Sequence, residues 1–164
     1  MSRPQQQIAL RPFLPDDAAL LAEIYRASIE ELTSDDYSEA QQQAWASQAD
    51  DEGEFGTLLA GQLTLLGTLD GAPVAFASLK DNEQVEMLYV HPAVARQGVA
   101  TTLLQALEKL AGARGAKRLR ADVSDSAHDF FKRHGFVAQQ RNSVPIAGEW
   151  LANTTMEKKL TGKD

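Results

Sequence analysis

The sequence predicts a mixed α/β (α+β) domain around a central, mostly antiparallel sheet, and three observations predict it. Apolar runs at 62–69, 74–79 and 84–90 are short, rich in β-formers and separated by turn dipeptides, which reads as three consecutive antiparallel strands. The third run leads through a glycine turn into a long helical stripe and then into Leu119–Val123, so the strands at 84–90 and 119–123 are expected to be parallel, with a right-handed crossover. Helices flank these strands without regular β–α alternation, which disfavours a doubly wound sheet.

Local signals justify each element in turn. Ile8–Leu14 is a first strand, and Pro15-Asp16-Asp17 opens a helix with acid in its first turn. Leu21, Ile24, Tyr25, Ser28 and Leu32 recur at helical spacing and mark the face it buries. Thr33-Ser34-Asp35-Asp36 ends it, and Ser38 caps a second helix running through Trp45. A polar break at Asp50–Gly53 follows, then a short helix or turn at Phe55–Ala60. Asp70-Gly71-Ala72-Pro73 turns one hairpin and Asp81-Asn82 the next. Pro92 ends the strand at 84–90. From Gly98 to about Ala113, the stripe Ala100, Leu103, Leu104, Leu107, Leu110 and Ala111 marks a helix that Gly112 and Gly115 close. Ser126–Arg133 is a short helix stopped by Gly135, and Phe136–Val144 and Trp150–Leu160 are strands joined at Ala147-Gly148.

The 164 residues suffice for one domain, 1–164, whereas two independent domains would be cramped. The net charge of -7 repels phosphate backbones and anionic lipid, and no basic patch offsets it, so neither nucleic acid nor membrane is an expected partner. The plainest role of that charge is solubility; it also mildly favours a cationic substrate. Cysteine is absent, which removes disulfides, cysteine-ligated zinc and thiol nucleophiles. His91, His128 and His134 show no paired spacing, so no metal is expected. Met1–Gln7 has no apolar leader core and no run approaches the ~20 residues that span a bilayer, so a cytoplasmic location is expected.

The strand-to-helix turn at 91–104, HPAVARQGVATTLL, carries the chemistry. A helix start presents unpaired N–H groups and a partial positive charge, and a glycine lets backbone approach a ligand closely. Arg96, Gln97, Gly98, Val99 and Ala100 therefore form a candidate pyrophosphate cradle, with the Thr101 and Thr102 hydroxyls beside it. On local spacing alone, a glycine that merely eases a corner is an equal reading. The turn lacks the lysine of a nucleoside-triphosphate loop and the three glycines of a dinucleotide fold.

Taken together, the strand ending in Val90-His91-Pro92, the turn with Gly98 and Ala100, and Phe131-Lys-Arg-His-Gly-Phe136 closing a short helix resemble the acyl-CoA-binding half of the GNAT superfamily of N-acetyltransferases. DDYSEAQQQAWA at 35–46 and TTMEKKL at 154–160 extend the resemblance to a bacterial branch of it. The resemblance implies a GNAT-like sheet with helices on both faces, and acetyl-CoA as cofactor. It places the pyrophosphate on Arg96 to Thr101 and the pantetheine arm along Leu88, Tyr89 and Val90, where that strand bulges and parts from Leu119–Val123. Ser124, Phe130 and Phe131 fall where coenzyme contacts are usual. The implied reaction is direct acetyl transfer to an amine of a small molecule or peptide, without a covalent enzyme intermediate.

Three positions depart from the pattern. Ala95 stands where Gln or Arg begins the pyrophosphate motif, with Arg96 adjacent; Ser124 replaces a frequent asparagine; and Phe131 replaces a tyrosine that protonates the leaving thiolate. The missing tyrosine motivates the competing expectation, a coenzyme-binding regulatory module with little or no catalysis. Glu86 is the candidate base, set against a merely solvated strand position; simple alternation puts it on the face of Leu88 and Val90, and a bulge would change that. Tyr25, Tyr37 and Trp45 lie in the helices that would wall the acceptor pocket, although core packing is the favoured role of each. Tyr89 is an alternative proton donor and, by its neighbours, a packed strand residue. His134 is an alternative phosphate contact. Whether a homodimer forms is left open.

Overall fold

A computed structural model describes residues 7–160; the first six residues, part of the stretch read as lacking a leader core, and the last four lie outside the described residues. The strands are β1 (Ile8–Pro12), β2 (Leu63–Leu69), β3 (Ala72–Lys80), β4 (Gln84–Val90), β5 (Arg118–Ser124), β6 (Val137–Ile146) and β7 (Glu149–Lys159). The helices are α1 (Ala18–Leu32), α2 (Glu39–Ala46), α3 (Glu52–Ala60), α4 (Val99–Ala113) and α5 (His128–Arg133). The strands form a seven-stranded sheet in the order β1-β2-β3-β4-β5-β7-β6. β4 and β5 run parallel and the other neighbouring pairs antiparallel, as the expected fold class requires.

Two apolar cores, one on each face, hold three layers together. Leu103, Leu104 and Leu107 of α4 are fully buried against Ala75, Ala77, Leu79 and Val85 of the sheet. On the other face Leu21, Ile24 and Ile29 of α1 and Phe55 and Leu59 of α3 bury against Leu66 and Phe76. Gly67 lets α4 approach β2 closely: a Cβ there would lie 2.7 Å from Val99 Cγ1.

Capping chemistry sets several boundaries. The Arg11 guanidinium grips both Asp17 oxygens at 2.9 Å, tying β1 to the start of α1 and holding the Asp17 carboxyl below its usual range. Ser38 Oγ accepts from the Gln41 N–H (3.1 Å) while Gln41 Oε1 accepts from the Ser38 N–H (2.8 Å), a reciprocal capping box. Ser38→Ala is expected to lower stability by about 1 kcal/mol, read as a melting temperature about 2–4 °C lower. Both α4 and α5 end in a Schellman motif, the Ala116 N–H donating to Ala111 O and the Phe136 N–H to Phe131 O.

Two local expectations change. The polar break is shorter than Asp50–Gly53: Asp50 and Asp51 separate the elements, but Asp51 caps α3 by accepting from the Glu54 N–H (3.0 Å), so Glu52 and Gly53 are helical. The first hairpin turns on Asp70-Gly71 alone, because Ala72 already pairs with Leu69 and Pro73 with Thr68; the register shift at Gly67/Thr68 leaves Val74 without a partner.

Candidate active site

β4 and β5 part almost as soon as they meet. They pair at Gln84↔Arg120, beside an Arg120 N–H bond to Glu83 O of 2.8 Å. Beyond that point each keeps its outer neighbour, β4 as far as Val90↔Ala75 and β5 as far as Ser124↔Asn153, so the inner edges face each other unpaired. A cleft of about 290 Å³ lies between them. Leu88 and Val90 line one side, and Ala121, Val123 and Ser124 the other. Phe130 and Phe131 of α5, Ala100 of α4, Tyr37, Trp45 and the β6–β7 hairpin complete the lining.

Glu86 sits on a bulge. The β3–β4 register runs Ser78↔Met87 and then Leu79↔Val85, which leaves Glu86 without a cross-strand partner. The extra residue reverses the alternation: Val85, Leu88 and Val90 pack against the α4 core, Met87 and Tyr89 against the α1 core. Glu86 therefore leaves the Leu88–Val90 face that simple alternation assigns it, and lines both the cleft and a second chamber on the α1 side.

The turn into α4 is built as an anion cradle requires. Arg96 and Gly98 adopt positive φ (65° and 86°), a left-handed conformation natural to glycine at the second position. A Cβ on Gly98 would meet nothing closer than Ile8 Cδ1 at 3.9 Å, so conformation rather than space selects glycine there. Among the described residues, the amides of Arg96 to Thr101 have no hydrogen-bond acceptor; the next, that of Thr102, donates to Gly98 O at 3.1 Å. Ala100 reaches the cleft wall, Arg96, Gln97 and Gly98 are exposed, and Val99 is 1% exposed, so its side chain serves packing. Thr101 Oγ1 lies 3.1 Å from His134 Nε2, while His134 Nδ1 bonds Phe130 O at 2.8 Å. This linkage joins the start of α4 to the end of α5.

The hydroxyls around the cleft are differently committed. Tyr37, which precedes the Ser38 cap rather than lying in α2, donates to Ala152 O (2.6 Å) and accepts from the Asp125 N–H (2.9 Å), so it ties the entry to α2 to the end of β5 and the start of β7. Burial raises its pKa. Ser124 Oγ accepts from the Ala127 N–H at 3.2 Å and keeps its own proton free. Tyr89 accepts from Trp45 Nε1 at 3.3 Å, and burial pushes its pKa up to about 12, so it stays protonated at neutral pH. Phe131 is 5% exposed, with its ring edge-on to Phe130 and Phe136.

Of the residues singled out from sequence, Glu86, Leu88, Tyr89, Val90, Ala100, Ser124, Phe130, Phe131, Tyr37 and Trp45 meet around one cleft. Tyr25 does not: it is 3% exposed in the α1 core and faces the second chamber. The tie made by Tyr37 and the contributions of Val144, Ile146 and Leu151 to the cleft were not read from sequence. Alternating apolar residues in the last hairpin were the available signal, but not a sufficient one.

Comparison with known proteins adds family and fold. Residues 33–160 match the family model described as an acetyltransferase (GNAT) domain. The uncharacterized N-acetyltransferase YafP of Escherichia coli (strain K12) is 32% identical over 152 residues, 93% of this chain and 96% of the relative. The crystal structure of a GCN5-related N-acetyltransferase from Rhodopseudomonas palustris superposes with a TM-score of 0.93 at 60% identity, covering 97% of this chain and 100% of that one. PaiA N-acetyltransferase from Thermoplasma acidophilum, solved in complex with coenzyme A, shares the fold with a TM-score of 0.77 at 21% identity, covering 93% and 99%.

Proposed function

We propose that this chain, which belongs to the GNAT acetyltransferase family, transfers the acetyl group of acetyl-CoA directly to a primary amine of a small molecule or peptide. The observation that carries the reading is the parting of β4 from β5 beside a helix start whose amides are unpaired. The residues fit the coenzyme. The free amides from Arg96 to Thr101 suit a diphosphate, and the unpaired edge of Leu88–Val90 suits an arm rich in amides. Ala95 at the head of the motif matters little, because backbone does this work. Phe130, Phe131 and Ser124 would contact the arm from the far side of the cleft.

Acetyl-CoA, when bound, supplies an activated thioester carbonyl. The chain's own residues must then hold the acceptor, take its proton and keep water out. An ammonium has no lone pair, so a base has to act first, and Glu86 is the carboxylate that the bulge presents to the cleft. Tyr37 and Trp45 wall the acceptor end, with Tyr37 fixed by its two bonds rather than free to exchange a proton. Phe131 donates nothing to the departing thiolate. The Ser124 and Tyr89 hydroxyls, each accepting one hydrogen bond, retain a proton to give.

The test is thiol release from acetyl-CoA against a panel of amines, alongside thermal unfolding with and without the coenzyme. Release that requires an added amine, with a raised melting temperature in acetyl-CoA, is the expected result. Stabilisation without release from any amine would support a binding module instead. Failure of acetyl-CoA to stabilise the fold would overturn the reading altogether.

A further inference from the structure

We propose that the second chamber binds a cationic group, which makes this chain selective for diamines over monoamines; the inference rests on the amine-acetylation reading above. The chamber, of about 380 Å³, lies on the α1 side of β4 and is walled by Tyr25, Trp45, Phe55 and Tyr89, with the carboxylates of Glu54 and Glu86 at its edge. It contains no basic residue in its lining. Neither carboxylate takes part in an ion pair or a side-chain hydrogen bond among the described residues, so both are available to a ligand cation.

Chamber and cleft share a partition. Trp45 and Tyr89, joined by their 3.3 Å hydrogen bond, line both, and so does Glu86; Glu54 lines the chamber alone. A molecule whose reacting amine stands at Glu86 therefore has its other end within the space that Glu54 also lines. The chemistry there selects that other end. Tyr25 and Phe55 are 3% exposed and packed against their neighbours, so the partly exposed rings Trp45 and Tyr89 are the ones that favour an ammonium through cation–π attraction, and Glu54 adds an opposite charge. A carboxylate or phosphate at that end would face two carboxylates with no cation to offset them. The overall charge of -7 draws dications in the same sense.

Calorimetric titration with 1,6-diaminohexane and with n-hexylamine, run in the presence of coenzyme A, tests binding apart from turnover. The diamine is expected to bind about tenfold more tightly than the monoamine, the scale of one ion pair combined with a cation–π contact. Glu54→Gln should bring the ratio to within about twofold, while Glu52→Gln, on the same helix but outside the chamber, should preserve it. Equal affinities in the native protein, or a ratio unmoved by Glu54→Gln, overturn the proposal. Thiol release with the same two amines separates the two claims. Binding preference without release sinks acetyl transfer and leaves the chamber's role standing; release without binding preference does the reverse.

Discussion

Replacing Glu86 by glutamine is expected to lower kcat/KM for an amine acceptor by about 100-fold at pH 7, the lower end of what a positioned base contributes. Glutamine keeps the size and polarity of the side chain and removes only its capacity to accept a proton. At pH 7 an alkylamine with a pKa of about 10 is almost wholly ammonium, so the variant acts on the small neutral fraction. Its rate should then climb about tenfold per pH unit and approach the native rate at about pH 9. Acetyl-CoA affinity should stay within about twofold, because the bulge turns Glu86 away from Leu88 and Val90, whose unpaired edge is the proposed seat of the coenzyme arm. Parallel pH–rate profiles for the two proteins would assign the proton to another group and leave Glu86 a solvated strand residue.

That bulge also shows where sequence reading stops. The Gly98 turn, the cap of α2 and the α4 stripe were legible because each depends on residues within a turn or two of one another. The side on which Glu86 emerges depends on which residue of β3 lies opposite, and the skipped pairing between Ser78 and Leu79 leaves no mark in the alternation of β4 itself. Tyr37 is a similar case. Helical spacing reads it as one more packed aromatic, whereas its hydroxyl partners stand 88 and 115 residues away in sequence. The chamber behind Trp45 draws on α1, α2, α3 and β4, and no periodicity in any one of them discloses that Glu54 and Glu86 edge the same space.

A second large effect is expected at Gly67, far from any reacting atom. Gly67→Ala places a methyl 2.7 Å from Val99 Cγ1, and a β-branched side chain locked in a helix cannot swing aside. α4 must then lift from β2, at an expected loss of about 1–3 kcal/mol in stability. Val99 is also the first residue of α4, so the displacement reaches the amides from Arg96 to Thr101 directly. Acetyl-CoA affinity should accordingly fall by about tenfold, since amides placed for a diphosphate lose strength steeply with distance and angle. Adding Val99→Ala removes the colliding methyl. The double variant should recover most of the coenzyme affinity and be more stable than the two single losses sum to, by about 1 kcal/mol or more. Strict additivity, measured by denaturant unfolding of all four proteins, would mean that β2 and α4 are not in forced register. Recovered stability without recovered affinity would mean that the start of α4 does not hold the coenzyme.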